Sequence, residues 1–357
     1  MNIGIIGLPQ AGKKTLFELL APGHRGGVSS SGKPGLIFGK AMIRDDRFDK
    51  LVALYQPKKT TPATLDVVLL PGFDKETLLS GECLKAVEKC DALCLVVRAF
   101  ADDAVFHVDG SVDPLRDIER VATELILSDL ILVEKRLERL AKEVRIKAEP
   151  RQVREKEILT RMKGWLEENR PLLNFDMDAD EKKLMSTYQF LTRRPLILVV
   201  NVNEDKIADE TLMGQVCQKY AAHGFKVLQI SAKIEAEISA LSRDERQAFL
   251  QELKIKEPAL NLLSQMCFEA LGLISFFTCG DTEVRQWTVR RNSSAPEAAG
   301  VIHTDMQRGF IRAEIIKFDD LMACGSENAV KQAGKMHLKG KDYIIEDGDI
   351  MYVRFSV

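Results

Sequence analysis

The stretch that most limits what this chain can fold into lies between Asn2 and Leu20. Asn2–Ile6 is a short apolar run of strand character, Gly7-Leu-Pro-Gln-Ala-Gly12-Lys13 follows, and Lys14–Leu20 carries a helical pattern. A buried strand that ends in a glycine loop and re-enters as a helix opens a parallel α/β layer. The GxxxxGK spacing has a physical reason. Glycines let backbone N–H groups turn toward one centre, and the helix N-terminus adds a partial positive charge, so the loop is built to hold phosphate. The expected phosphate-binding set is Gly7, Pro9, Gln10, Ala11, Gly12, Lys13, Lys14 and Thr15. Lys13 is placed to reach the β- and γ-phosphates, and Thr15 the α-phosphate. One position departs from the pattern. The residue after the motif lysine normally lends Mg²⁺ a hydroxyl oxygen. Here it is Lys14, whose ammonium cannot ligate a cation, and Thr15 lies on a different side of the helix.

The remaining apolar runs of strand length are Leu65–Leu70, Ala92–Val97, Leu196–Val200 and Lys226–Ile230. Strands covered on both faces read this way. Residues 22–35 are rich in Gly, Ser and Pro and read as a mobile loop. Further on, Leu130, Val133, Leu137, Leu140 and Val144 alternate spacings of three and four, which is a heptad seam. Pro150 interrupts it, and Ile158, Met162 and Trp165 resume the stripe, so two long helices fold back on each other. Eleven Lys/Arg and six Glu fall between Glu134 and Lys163, a local excess of +5. That surplus suits either a solvated coiled-coil surface or an arm facing nucleic acid. Past Leu273 the texture changes to short β-like segments such as Glu283–Val289 and Ile350–Phe355, the mark of a separate small α+β module.

At 357 residues the chain has room for two or three domains. A net charge of −2 excludes a wholly basic nucleic-acid binder. The seven cysteines are scattered without a CxxC pair, which excludes a disulfide framework or zinc module and suits a reducing, cytoplasmic setting. No run approaches the ~18 apolar residues of a membrane helix.

Longer stretches carry a family resemblance. Cys90-Asp-Ala-Leu-Cys-Leu-Val-Val-Arg98, Val108-Asp-Gly-Ser-Val-Asp-Pro-Leu-Arg-Asp117, Thr123-Glu-Leu-Ile-Leu-Ser-Asp129 and Glu134-Lys-Arg-Leu-Glu-Arg-Leu140 are similar to the YchF / Obg-like ATPase family. So are Ser231-Ala-Lys-Ile-Glu-Ala-Glu237, Val301-Ile-His-Thr-Asp305, Gly309-Phe-Ile-Arg-Ala-Glu314 and the run from Gly340 to Phe355. The resemblance covers nearly the whole chain and is weakest between residues 20 and 85. It implies an α/β fold: a P-loop NTPase with a mostly parallel sheet, an inserted antiparallel helical hairpin and a small α+β, β-grasp-like TGS domain. The implied boundaries are 1–120 and 190–272 for the nucleotide-binding domain, 121–189 for the hairpin and 273–357 for the TGS domain. ATP or GTP is the implied ligand, the ribosome or RNA the implied partner, and a cytoplasmic monomer without membrane contact the implied state. His303 belongs by this resemblance to the TGS scaffold rather than to catalysis, and no catalytic residue is assigned.

The resemblance also places the base. Guanine readers carry NKxD, whose Asp accepts hydrogen bonds from N1–H and the exocyclic amine of guanine. Here the same strand end reads Asn201-Val-Asn-Glu204. The family's NxxE goes with a preference for ATP. Asn201, Val202 and Glu204 are therefore expected on the base side, with Val202 packing on the ring and Ser231-Ala232 as the second base loop. The family's second metal element is an Asp closing a strand in DxAG. In Thr64-Leu-Asp-Val-Val-Leu-Leu-Pro-Gly72-Phe73 the Asp position holds Leu69, and Asp66 stands three residues earlier, where strand alternation turns it away. The first-switch Thr corresponds to Lys33, with Ser29 to Ser31 nearby. Two metal positions, Lys14 and Leu69, thus hold no ligand, which leaves magnesium binding unsupported. The expected protein binds nucleotide with Mg²⁺-dependent hydrolysis weakened or lost, and the Lys14 ammonium neutralises the phosphates instead. The alternatives are an active Mg²⁺-dependent ATPase or GTPase, and an RNA or ribosome interaction protein that binds no nucleotide.

Overall fold

The computed structural model describes all residues except 24–35, 72–80, 147–148, 253–254, 256 and 357. Lys33, Ser29 to Ser31, Gly72, Phe73 and most of the 22–35 loop lie outside the described residues. The described strands are β1 (Asn2–Ile6), β2 (Ile37–Met42), β3 (Lys59–Thr61), β4 (Thr64–Leu69), β5 (Ala92–Arg98), β6 (Leu196–Asn201), β7 (Lys226–Ile230), β8 (Leu273–Thr278), β9 (Glu283–Arg290), β10 (Phe310–Lys317), β11 (His337–Lys339) and β12 (Asp349–Phe355). The chain forms two compact units. One comprises residues 1–40 and 66–263, the other 41–65 and 264–357.

The first unit is built on a sheet of order β2-β4-β1-β5-β6-β7, in which β4, β1, β5, β6 and β7 run parallel. Every residue of β5 and β6 is buried, as their unbroken apolar character requires. The helix Pro114–Ile146 is 33 residues long and starts seven residues before the expected hairpin boundary. Its first turns place Ile118, Val121 and Leu125 in the core around Leu95 and Leu198. Its later turns carry the seam: Val133 and Leu140 are fully buried with Ile158, Leu159, Met162 and Leu166, the last four from the helix Pro150–Glu167. Pro150 sits at the start of that second helix, where its missing N–H costs nothing. Asp129, 1% exposed, accepts from Leu191 N–H, Thr192 N–H and Thr192 Oγ1 at 2.7–2.8 Å and so fastens the long helix to the returning chain.

Several of the hairpin's basic residues are paired internally. Arg136 binds Glu155 (2.7 Å) and Glu143 (3.3 Å), and Arg154 and Arg161 converge on the buried Glu181 at 2.7 and 3.0 Å. Lys163 reaches Glu134 at 2.8 Å.

The second unit has a sheet of order β11-β10-β12-β8-β9-β3. Pairings β8–β9, β10–β12 and β10–β11 are antiparallel, while β8–β12 and β3–β9 are parallel. Strand alternation divides its apolar residues between two faces. Phe276, Ala313, Ile315 and Met351 pack with Ala295, Ala298 and Ala299 of the helix Ala295–Ile302. Phe277, Val284, Ile316 and Ile350 pack with Phe48 and Leu51 of the helix Asp46–Tyr55 and with Leu321 and Val330. Residues 41–65, expected with 1–120, therefore belong to this second unit. β3 adds the outer strand in the register Lys59↔Glu283 to Thr61↔Arg285. Thr61 Oγ1 donates to Glu283 (2.6 Å), Ala63 N–H to Gln286 Oε1 (3.1 Å), and Arg47 pairs with Asp347 (2.9 Å).

Candidate nucleotide site

The glycine loop has the backbone that its sequence requires. Gly7 lies at φ 144°, Gln10 at 60° and Gly12 at 93°. A side chain at Gly7 would stand 2.2 Å from the carbonyl oxygen of Val96 on β5, and one at Gly12 would stand 2.3 Å from Asn201 Nδ2 on β6. Both positions therefore need glycine for space as well as for conformation.

Lys13 is folded back onto its own loop. Its Nζ donates to Gly7 O (2.7 Å) and Leu8 O (2.6 Å), and the residue is 8% exposed. Burial pulls its ammonium down to about 8. A bound polyphosphate restores the ammonium through direct charge pairing. Below pH 8 the lysine is already charged; above it, anion binding must bring a proton in. Binding of an ATP analogue is therefore expected to take up most of a proton per site at pH 9 and clearly less at pH 7. Calorimetry in buffers of different ionisation enthalpy measures this uptake, and no uptake at either pH would show that Lys13 stays charged throughout.

Asn201, 4% exposed, ties two loops together. Its Nδ2 donates to Ala11 O (3.2 Å) in the phosphate loop, and its Oδ1 accepts from Ala232 N–H (3.0 Å). Val202, expected against the base, is 5% exposed and lies in the apolar core cluster. Ser231 is buried and caps the helix Ala232–Ala240 through Ile234 N–H. Ala232 is buried beside it and spends its N–H on Asn201. Glu204 is half exposed and reaches the ammonium of Lys233.

Other parts of the frame went unread in the sequence. Asn203 exchanges two hydrogen bonds with Ala101, at 2.7 and 3.1 Å. Arg98, 3% exposed, donates to the carbonyls of Phe100, Asp102 and Phe106 at 3.2–3.3 Å. His107 accepts from Asp109 N–H at Nδ1 (3.1 Å), so its Nε2 carries the proton and donates to the buried Asp117 (3.0 Å). An arginine closing an apolar strand and a histidine ahead of Val-Asp-Gly were the signals of this loop framework. His303 caps the short helix Thr304–Arg308 by accepting from Asp305 N–H (3.2 Å), a scaffold task.

Magnesium does not fit the donors at the expected positions. Lys14 is exposed, with its ammonium 3.7 Å from Glu18 one turn on. Leu69 is 9% exposed in β4, opposite Ile5. Asp66 pairs with Asn2 in register, and its carboxylate takes Lys40 at 2.9 Å. Thr15 is exposed on the helix Lys13–Leu20. A hard cation asks for oriented oxygens, and these positions offer an ammonium and a methyl-ended chain.

A glycine loop of this build, between the first strand of a parallel sheet and its following helix, places the first unit among the P-loop nucleoside triphosphatases. Comparison with known proteins narrows that class. Residues 273–356 match a family model, the YchF GTPase C-terminal family, described as a protein of unknown function (DUF933). The Bacillus subtilis strain 168 protein named ribosome-binding ATPase YchF is 40% identical over 368 residues, covering all of both chains. Human Obg-like ATPase 1 is 36% identical over 372 residues, covering 100% of this chain and 92% of that one. The solved structure of the Schizosaccharomyces pombe YchF GTPase superposes with a TM-score of 0.88 at 32% identity, over 99% of this chain and 97% of the other. The chain belongs to the YchF / Obg-like ATPase family.

Proposed function

We propose that this protein binds ATP in preference to GTP at the Gly7–Thr15 loop, turns it over weakly or not at all through Mg²⁺, and acts on the ribosome. The observation that carries the reading is the pairing of an intact phosphate loop with Lys14 and Leu69 at two separate metal-ligand positions. Loss of one ligand is easily accommodated by water; loss of two, one from the helix Lys13–Leu20 and one from β4, removes the oriented oxygens that spread charge during phosphoryl transfer. That omission is worth roughly 10³-fold or more in rate. Lys14 supplies a positive charge beside the phosphates in the metal's place. The ribosome enters through the name of the Bacillus relative, and residues 273–357 are read as a TGS domain.

Calorimetric titration of nucleotide-free protein with non-hydrolysable ATP and GTP analogues, each with Mg²⁺ and with EDTA, tests this reading. Affinity that is the same in EDTA is the expected result, with the ATP analogue the tighter ligand. Binding only in the presence of Mg²⁺ would overturn it. In the same series, Lys14→Ser combined with Leu69→Asp is expected to make binding respond to Mg²⁺ and to raise hydrolysis by at least about tenfold. Co-sedimentation with ribosomes, with and without nucleotide, tests the partner.

A further inference from the structure

Glu204 stands at the strand end where a guanine reader needs a free carboxylate, and its backbone is held firmly. Val202 N–H donates to Ile230 O (2.8 Å) just before it. Asn203 is clamped to Ala101 from both ends of its amide. Gln229 Nε2 donates to the carbonyls of Lys206 (2.9 Å), Ile207 (3.1 Å) and Asp209 (3.1 Å), which fixes the turn Glu204–Lys206 from below. From this anchored position the carboxylate engages Lys233.

Lys233 is oddly placed for a lysine. It lies in the first turn of the helix Ala232–Ala240, where a positive charge opposes the helix dipole. Helix stability therefore gives no reason for a cation here, whereas the facing Glu204 does. The pair is largely exposed, 73% for Lys233 and 44% for Glu204. Such a pair adds little to stability. What it does change is the hydrogen-bonding capacity of the carboxylate.

We infer that Lys233 is a specificity-determining positioning residue: by engaging the Glu204 carboxylate it withholds from guanine the acceptor that N1–H and the exocyclic amine require. Adenine has no N1–H and loses nothing by the pairing. The effect adds to the extra methylene of glutamate and rests on the reading of this loop as a nucleotide site.

The test is titration of the full chain with non-hydrolysable ATP and GTP analogues in EDTA. Lys233→Ala is expected to tighten the GTP analogue and shift the affinity ratio about two- to fivefold toward it, the most that breaking an exposed ion pair releases. Lys233→Met, which nearly keeps the length and removes both the charge and the donor, is expected to shift it in the same direction. Lys233→Arg retains the pair and leaves the ratio where it was. Lys233→Ala with Glu204→Ala cancels the shift, because the released carboxylate is gone. A structural role would weaken both nucleotides alike. An unchanged ratio in Lys233→Ala, with binding retained, overturns this inference alone. Failure of the unaltered chain to bind either nucleotide overturns the parent reading and this one with it.

Discussion

Leu51→Ala is expected to destabilise the second unit by about 2–5 kcal/mol, the range for removing a buried leucine side chain without collapse of the space it leaves. Leu51 is fully buried, in a cluster with Phe277, Val284, Ile316 and Ile350. Those partners come from β8, β9, β10 and β12, so the cavity opens against the whole face of the sheet. Hydrogen exchange followed by mass spectrometry reads the effect locally. Amides of β8 to β10 are expected to lose protection, and those of β1, β5 and β6 to keep theirs. Leu54→Ala on the same helix, where Leu54 is 38% exposed, is the control and is expected to stay within about 0.5 kcal/mol. Loss of protection confined to β1 and β5 would mean that residues 41–65 serve the first sheet.

Gly12→Ala should produce the opposite distribution: nucleotide binding weakened at least about a hundredfold, and the second unit untouched. The added carbon would fall 2.3 Å from Asn201 Nδ2 at a backbone angle of φ 93°. The amide cannot simply step aside, because it is held by Ala11 O on one side and Ala232 N–H on the other. The strain is therefore passed to the loop, whose N–H groups lose their common direction. Titration with an ATP analogue measures the loss, and exchange at β8 to β12 checks the second unit. Full affinity in Gly12→Ala would mean that the phosphates bind elsewhere.

The legible parts of this molecule were those fixed by local chemistry. The glycine loop could be read because GxxxxGK states a backbone requirement that nothing distant alters, and Gly7 and Gly12 adopt it. The hairpin could be read because its seam repeats along one helix, and Val133 and Leu140 are buried as the spacing demands. Leu69 and Asp66 were placed on opposite sides by strand alternation alone, and they sit so. What escaped was decided by contacts far apart in the chain. β3 is three residues long, too short to announce itself, and it finds its partner in Glu283–Arg285. The link that Asn201 makes between Ala11 and Ala232 could not be read from its own segment. β6 was expected to end at Val200; it runs on to Asn201 and carries Val202 into the core. Lys233 is invisible as a partner of Glu204 until the turn after β6 and the helix after β7 are brought side by side.

The segment 41–65 also sets an order of events during synthesis. Phe48 and Leu51 emerge early, yet the sheet that covers them begins at Leu273, roughly 200 residues later. At ~5–20 residues per second the helix Asp46–Tyr55 waits on the order of 10–40 s with its apolar stripe uncovered. A nascent chain arrested before β8 holds one half of an interface with no other half, a state that a chaperone would recognise. Emergence of β8 to β12 is then the step that lets an early segment take up its final place.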